Sequence, residues 1–237
     1  MSPGASSLRV LVVQNEEPTP GGLINEFLTE EGAELEVLRS DLVEREIDPS
    51  RYDLLIPLGS EFAAYEDHRP FVQRSRRLLE RAVDQDVPVL GVCFGGQLLA
   101  KVLGGRAFRA AESEIGWIPV RTHDPDLVSE GPWFQWHFDS FSTPPGARLI
   151  AETDAGPQAF VSGRHLGVQF HPEVTPEIMD GWVRTYRHEL DDEGVDPDAL
   201  LEETHRRATE SRAATRRLLR RFIDAVAELR SERVRGR

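Results

Sequence analysis

Short runs of β-branched and leucine-type residues alternate, over the first part of the chain, with stretches whose apolar residues recur at helical spacing. LRVLVV (8–13) is followed by a helical pattern over 21–31, in which Leu23, Phe27 and Leu28 share a face, and then by ELEVL (34–38) and DLLIPLG (53–59). A second helical stretch over 70–86 carries Phe71, Leu78, Leu79 and Val83 on compatible positions and leads into PVLGV (88–92). That near-continuous apolar run suits a strand buried on both faces. The alternation predicts an α/β fold, a mostly parallel sheet with helices on both faces, whose ligands bind beyond the carboxyl ends of the strands.

After residue 105 the pattern shortens. WIPVR (117–121), ARLIAE (147–152), QAFV (158–161) and HLGVQF (165–170) read as strands between Pro- and Gly-rich turns, an antiparallel extension of the same sheet. Residues 176–190 and 198–231 read as helices, each with a proline at or just before its start. The last has Leu200, Leu218, Leu219, Phe222 and Val226 for its apolar stripe. With no internal repeat, low-complexity segment or linker, the reading is one domain over 1–237 with a C-terminal helical extension over about 198–235.

Charge narrows the function classes. The 237 residues hold 28 Lys and Arg against 41 Asp and Glu, a net charge of −13. An acidic surface argues against nucleic acid, whose phosphates demand a basic one, and against anionic membranes. No run approaches the ~18 apolar residues of a membrane span. LRVLVV is too short for a signal-peptide core and is soon followed by Glu16 and Glu17, so the expected compartment is the cytoplasm. The only basic segment is 198–237, with eleven Arg and seven acidic residues, and it reads as a solvated helix face with Arg and Glu interleaved.

Cys93 is the single cysteine, which excludes an intramolecular disulfide and a multi-cysteine zinc site. His68, His123, His137, His165, His188 and His205 have no metal-ligand spacing, and Trp117, Trp133, Trp136 and Trp182 read as core or pocket wall. The sharpest local pattern surrounds Cys93. A buried strand runs into Gly91-Val92-Cys93-Phe94-Gly95, and a helical pattern with Leu98, Leu99, Val102 and Leu103 follows at once, ending at Gly104-Gly105. A lone cysteine is usually a small buried hydrophobe. Here the strand, glycines and helix form a nucleophile elbow with sulfur in the serine position. The helix start aims free N–H groups and a positive dipole end at Cys93, which favours thiolate.

A thiolate needs a base that can return a proton to the leaving group, and a third group to orient that base. GVQFHPEVT (167–175) supplies His171 and Glu173, two residues apart; in an extended chain both point to one side. By itself a His-x-Glu is a weak signal, but with the elbow it fits Cys-His-Glu.

With these residues in view the sequence resembles the class I (triad) glutamine amidotransferases, and most closely stand-alone members similar to the amidotransferase domain of GMP synthetase. GVCFGGQLLA looks like the family's nucleophile motif, and EIGW (114–117), FQWHFDSFSTPPGARLIAET (134–153), QAF (158–160) and GVQFHPEVT follow in the family's order. The resemblance implies the family's flavodoxin-like fold and a reaction on glutamine. Cys93 attacks the γ-carboxamide and forms a γ-glutamyl thioester, with the oxyanion held by backbone N–H groups of Phe94 and of Gly59-Ser60. His171 protonates the departing ammonia and then activates water, and Glu173 orients His171. Gln97 and the backbone around His137, Phe138 and Asp139 contact the amino-acid end of the substrate. No metal or organic cofactor is implied.

The turn that commonly reads Gly-Gly-Pro in relatives reads Leu58-Gly59-Ser60-Glu61 here. A backbone donor survives the change, and Glu61 either recognises an amine-bearing leaving group larger than ammonia or points to solvent. Phe138 follows His137 where glycine is frequent, which narrows the pocket or walls it. Several readings stay open. One is a true amidotransferase passing ammonia to a separate synthetase chain. Others are a self-sufficient γ-glutamyl hydrolase or peptidase acting on another γ-glutamyl amide, a catalytically silent regulatory or binding subunit, and a cysteine peptidase of the same broad fold. His-x-Glu after the strand favours the amidotransferases, and an oligomeric state is not readable.

Overall fold

The computed structural model describes residues 7–235, so both ends of the expected domain, 1–6 and 236–237, lie outside the described residues. The alternating half runs β1 (Arg9–Gln14), α1 (Gly22–Glu30), β2 (Glu34–Arg39), β3 (Leu54–Pro57), α2 (Pro70–Asp84), β4 (Val89–Val92) and α3 (Phe94–Val102). Six strands follow: β5 (Ala107–Ile118), β6 (Arg121–Thr122), β7 (Trp133–Phe141), β8 (Arg148–Thr153), β9 (Gly156–Ser162) and β10 (His165–Val168). Helices α4 (Pro176–Thr185), α5 (Arg187–Glu193) and α6 (Pro197–Arg235) complete the described chain. None of the described helices is long and apolar enough to cross a membrane.

Eight strands form one sheet in the order β2-β1-β3-β4-β10-β9-β8-β6. The first five of that order are parallel and the last three join antiparallel; β1 to β4 are parallel as their alternating pattern predicts. The period of two along the strands sorts the core. Val10, Val12, Leu54, Ile56, Leu90 and Val92 face α1 and α6, while Leu11, Val13, Leu55 and Val89 face α2 and α3. A third apolar cluster joins β7 to α4 and α5 through Phe134, Trp136, Trp182 and Tyr186.

The second half departs from the expectation in four places. HLGVQF is no outward extension: β10 returns to the middle of the sheet and pairs parallel with β4, and Leu166 and Val168 are fully buried there. The expected WIPVR strand divides at Pro119, which lacks the N–H a ladder needs, into the end of β5 and the short β6. β5 pairs with β7, a strand within the FQWHFDSF segment, as a separate two-stranded sheet. The expected helix over 176–190 breaks at Tyr186 into α4 and α5.

The arginines of α6 are not only interleaved with their own helix's acids. Arg212, Arg216 and Arg220 reach across to Glu26, Glu30 and Glu31 at the end of α1. These pairs are solvent-exposed, so the packing of Leu218, Leu219 and Phe222 against the sheet carries the attachment. Leu218→Ala is therefore expected to cost about 2–5 kcal/mol in chemical denaturation. Arg216→Ala should cost at most about 1 kcal/mol, and less as salt is raised.

Candidate active site

Cys93 stands alone between β4 and α3, with φ 49° and ψ −111°. A non-glycine residue in that region is strained and persists only where its surroundings over-determine it. They do so here by contact of backbone with backbone. A Cβ on Gly95 would lie 2.1 Å from the Pro57 carbonyl oxygen, on Gly91 2.5 Å from that of Gly95, and on Gly96 2.5 Å from that of Val168. The Cys93 N–H donates to Val168 O at 2.8 Å. The elbow is thus wedged between the ends of β3 and β10, at the carboxyl edge of the parallel sheet, and the first N–H groups of α3 have no intrahelical acceptor.

His171 and Glu173 lie in the turn just beyond β10 and not on a strand, yet they face one another: Nδ1 donates to Glu173 Oε1 at 2.7 Å. Both are buried, 5% and 2% exposed. The turn is held from three sides. His171 N–H donates to Phe134 O (2.8 Å), Leu23 N–H to Glu173 O (2.9 Å), and the Thr215 hydroxyl of α6 to Pro172 O (2.6 Å). Gly22 must be glycine for this approach, since its Cβ would meet Glu173 O at 2.1 Å. Burial by itself would drive the His171 imidazole to its neutral form. The charges of Glu173 and Cys93 outweigh that and hold its pKa well above the ordinary histidine range. Nε2 has no fully formed hydrogen bond, so its contact with Cys93 is loose, as in many sites awaiting a substrate. Gln169, fully buried, donates Nε2 to Cys93 Sγ at 3.7 Å.

The turn after β3 closes the site from the other side. A Cβ on Gly59 would sit 3.1 Å from His171 Cε1 and 3.7 Å from Cys93 Cβ, so this backbone borders both residues directly. Its carbonyls are pinned from beneath. Asn15 Nδ2 donates to Leu58 O (2.9 Å) and Gly59 O (3.0 Å), and Ser40 Oγ fixes Asn15 Oδ1 (2.9 Å). Ser60 Oγ donates to Glu16 Oε1 at 2.5 Å and accepts the Phe62 N–H at 3.1 Å. With carbonyls and hydroxyl tied down, the Gly59 and Ser60 N–H groups make no hydrogen bond among the described residues. Burial raises the Glu16 pKa to about 7, against the Ser60 hydrogen bond, with the Glu61 charge adding to the rise.

Gln97, Phe138 and Asp139 line the same cavity, of about 370 Å³. Gln97 gives Nε2 to Asp139 O (3.3 Å) and Gln169 Oε1 (3.2 Å), which leaves its own Oε1 for a ligand. His137 borders the cavity, but its ring is braced: Nδ1 donates to Asp139 O (3.0 Å) and Nε2 lies 3.1 Å from Glu114 Oε2. Phe138 walls the cavity, with the Arg109 guanidinium 4.8 Å above its ring. Asp139 accepts from the Tyr65 hydroxyl at 3.0 Å. Glu61 is exposed at the cavity mouth. Trp136 and Trp182 are wall residues, whereas Trp133 is core.

Sequence reasoning missed Asn15, Glu16, Tyr65, Arg109, Gln169, Tyr186 and Glu189. Only Gln169 left a signal, two positions before His171 in the same motif.

The family described as glutamine amidotransferase class-I matches residues 22–183. The GMP synthase (glutamine-hydrolyzing) of Thermus thermophilus is 34% identical over 196 residues, 77% of this chain and 37% of that enzyme. The chain thus spans well under half the length of the curated relatives it matches. Among solved structures, a glutamine amidotransferase from Thermotoga maritima superposes with TM-score 0.83 at 32% identity, covering 92% of this chain and 99% of that one. One from Methylobacillus flagellatus gives TM-score 0.84 at 27% identity, over 93% and 96%.

Glu16 yields a pH prediction. Its folded pKa of about 7 lies above the ordinary 4.5, so the folded state binds more protons between those values, and this contribution to stability falls as pH rises through them and then levels. Glu16→Gln is expected to melt closer to wild type near pH 4.5 and to gain relative to it toward pH 7. Thermal melts across that window check this, and a difference independent of pH would contradict it.

Proposed function

This chain belongs to the class-I glutamine amidotransferase family, and from that premise we propose that it hydrolyses the γ-carboxamide of glutamine through a γ-glutamyl thioester on Cys93. The observation that carries the proposal is the buried Cys93–His171–Glu173 line set under the unpaired N–H groups of Phe94 and the 59–60 turn. The Cys93 thiolate attacks the carboxamide carbon, and the developing oxyanion accepts hydrogen bonds from Phe94, Gly59 and Ser60 N–H. His171, held as the imidazolium, gives its Nε2 proton to the amide nitrogen as ammonia leaves. The neutral ring then takes a proton from water, hydroxide attacks the thioester, and glutamate departs with thiolate and imidazolium restored. Glu173 stabilises the cation in both halves. Gln97 Oε1 takes the substrate's ammonium, and the backbone of 137–139 borders its carboxylate end.

The proposal extends to a single domain working in the cytoplasm, with ammonia passing to a synthetase on another chain. A second reading is a self-sufficient γ-glutamyl hydrolase. It is favoured by the 58–61 turn, which Asn15, Ser40 and Glu16 of this same chain already hold in register. A silent subunit would not need the His171–Glu173 pair, and burying such charges carries a desolvation cost that gives it nothing in return.

Glutamate release from glutamine by the purified chain, with Cys93→Ala as control, is the test. Turnover is expected to vanish in Cys93→Ala, and a glutamine-analogue electrophile should add to Cys93 alone by mass spectrometry. Glu173→Gln should lower kcat on the order of 10²–10⁴-fold. Release that survives Cys93→Ala would refute the mechanism.

A further inference from the structure

The acid that protonates a leaving group must reach its nitrogen, so in the reaction proposed above the leaving amine departs on the His171 side of the thiol. The residues around His171 in the cavity form a connected set. The Trp182 ring meets His171 edge-on at 4.9 Å, Trp136 crosses Trp182 at 5.9 Å, and Tyr186 packs against Trp136 at 6.0 Å. Tyr186 is 8% exposed and lines the cavity, and its hydroxyl has no hydrogen-bond partner among the described residues. Burial, and then the charges of Glu16, Glu61 and Glu189 gathered about it, push its ionisation upward.

The carboxylates of the cavity divide into two kinds. Asp139 is met by Tyr65 and Arg109, and Glu66 by Arg69 at 3.1 Å. Glu189 accepts only the Trp136 Nε1–H (2.7 Å), and Glu61 has no cationic partner among the described residues. The carboxylates lacking a countercharge are therefore those beside Tyr186 and the tryptophans. Aromatic rings flanked by unpaired carboxylates and a free hydroxyl suit an ammonium group, which donates to the oxygens and is attracted to the rings. Ammonia is small beside a cavity of about 370 Å³ that also extends along Gln97 and Asp139.

We infer that Trp136, Trp182, Tyr186, Glu189 and Glu61 form a leaving-group subsite for an amine bearing a second, protonated amino group, so that the preferred substrate is a mono-γ-glutamyl amide of a short aliphatic diamine. The inference rests on the proposed γ-glutamyl thioester chemistry and, within it, on the second reading, the self-sufficient γ-glutamyl hydrolase. Water cleaves the amide C–N bond: the acyl carbon leaves as glutamate, and the diamine leaves with the His171 proton on its freed nitrogen.

The experiment compares the mono-γ-glutamyl amide of 1,4-diaminobutane with γ-glutamyl-n-pentylamide, which replaces the remote ammonium by a methyl group. In wild type, kcat/KM is expected to favour the cationic amide by about tenfold, the worth of one partly screened charge contact. The preference should shrink with added salt and in the Glu61→Gln/Glu189→Gln variant. Equal values for the two amides in wild type would overturn the subsite, as would a preference untouched by both substitutions in a variant that melts like wild type. Calorimetric binding of the same pair to Cys93→Ala separates this from the parent proposal. Preferential binding of the cationic amide without turnover in wild type upholds the subsite and refutes the hydrolysis. Turnover of glutamine with equal binding of both amides refutes the subsite alone.

Discussion

The backbone of residues 91–96 folds on itself and lies against the ends of β3 and β10 so closely that no Cβ fits at Gly91, where it would meet Gly95, or at Gly95 and Gly96, where it would meet Pro57 and Val168. This close packing over-determines the strained Cys93 backbone, with its φ of 49°, which is the condition under which such strain persists. The order β3-β4-β10 then has a chemical consequence. The turn after β3, the thiol after β4 and the imidazole after β10 emerge side by side at one carboxyl edge, where open parallel sheets place their ligands.

Electrostatics at that edge is arranged against the background of an acidic chain. His171 is buried with Glu173 as its partner, whose charge favours the protonated ring, and Pro172 between them is tied to α6 by Thr215 and Glu173 to α1 by Leu23. The long C-terminal helix thereby serves the site through packing on the sheet and one hydrogen bond to the turn. On the opposite side a second polar group, Asn15, Ser40, Glu16 and Ser60, fixes the turn after β3 with hydrogen bonds to its carbonyls and hydroxyl. With the carbonyls held below, the Gly59 and Ser60 N–H groups have no partner among the described residues, which is the preorganisation that the proposed oxyanion stabilisation requires.

The walls of the cavity add a different chemistry. Trp136 of β7, Trp182 of α4 and Tyr186 at the α4–α5 break come together in the third apolar cluster, and Glu189 of α5 lines the cavity beside them. That cluster is at once the support of His171 and the lining of the space where the proposed reaction would release its leaving group. A change in it would alter both the position of the acid and what the site accepts.

Local patterns were enough for the alternating strands and helices, the elbow at Cys93 and the pairing of His171 with Glu173. Each of these is governed by neighbours within a few residues: period two in a strand, glycines around a sharp turn, two side chains on one short segment. The return of β10 to the centre of the sheet, the separate β5–β7 pair and the break at Tyr186 were not legible, because strand partners are chosen by burial across the whole core and not by propensity. For the same reason Asn15, Glu16, Tyr186 and Glu189 carried no signal. An asparagine after one strand meets a turn some forty residues later, and a tyrosine between two helices comes under the charge of Glu16 and Glu61 from the first part of the chain, only once the sheet has brought them together. The elbow at Cys93 and the His171–Glu173 pair were written in short-range sequence; the clamp on the turn after β3 and the character of the aromatic and acidic cavity wall belong to long-range packing.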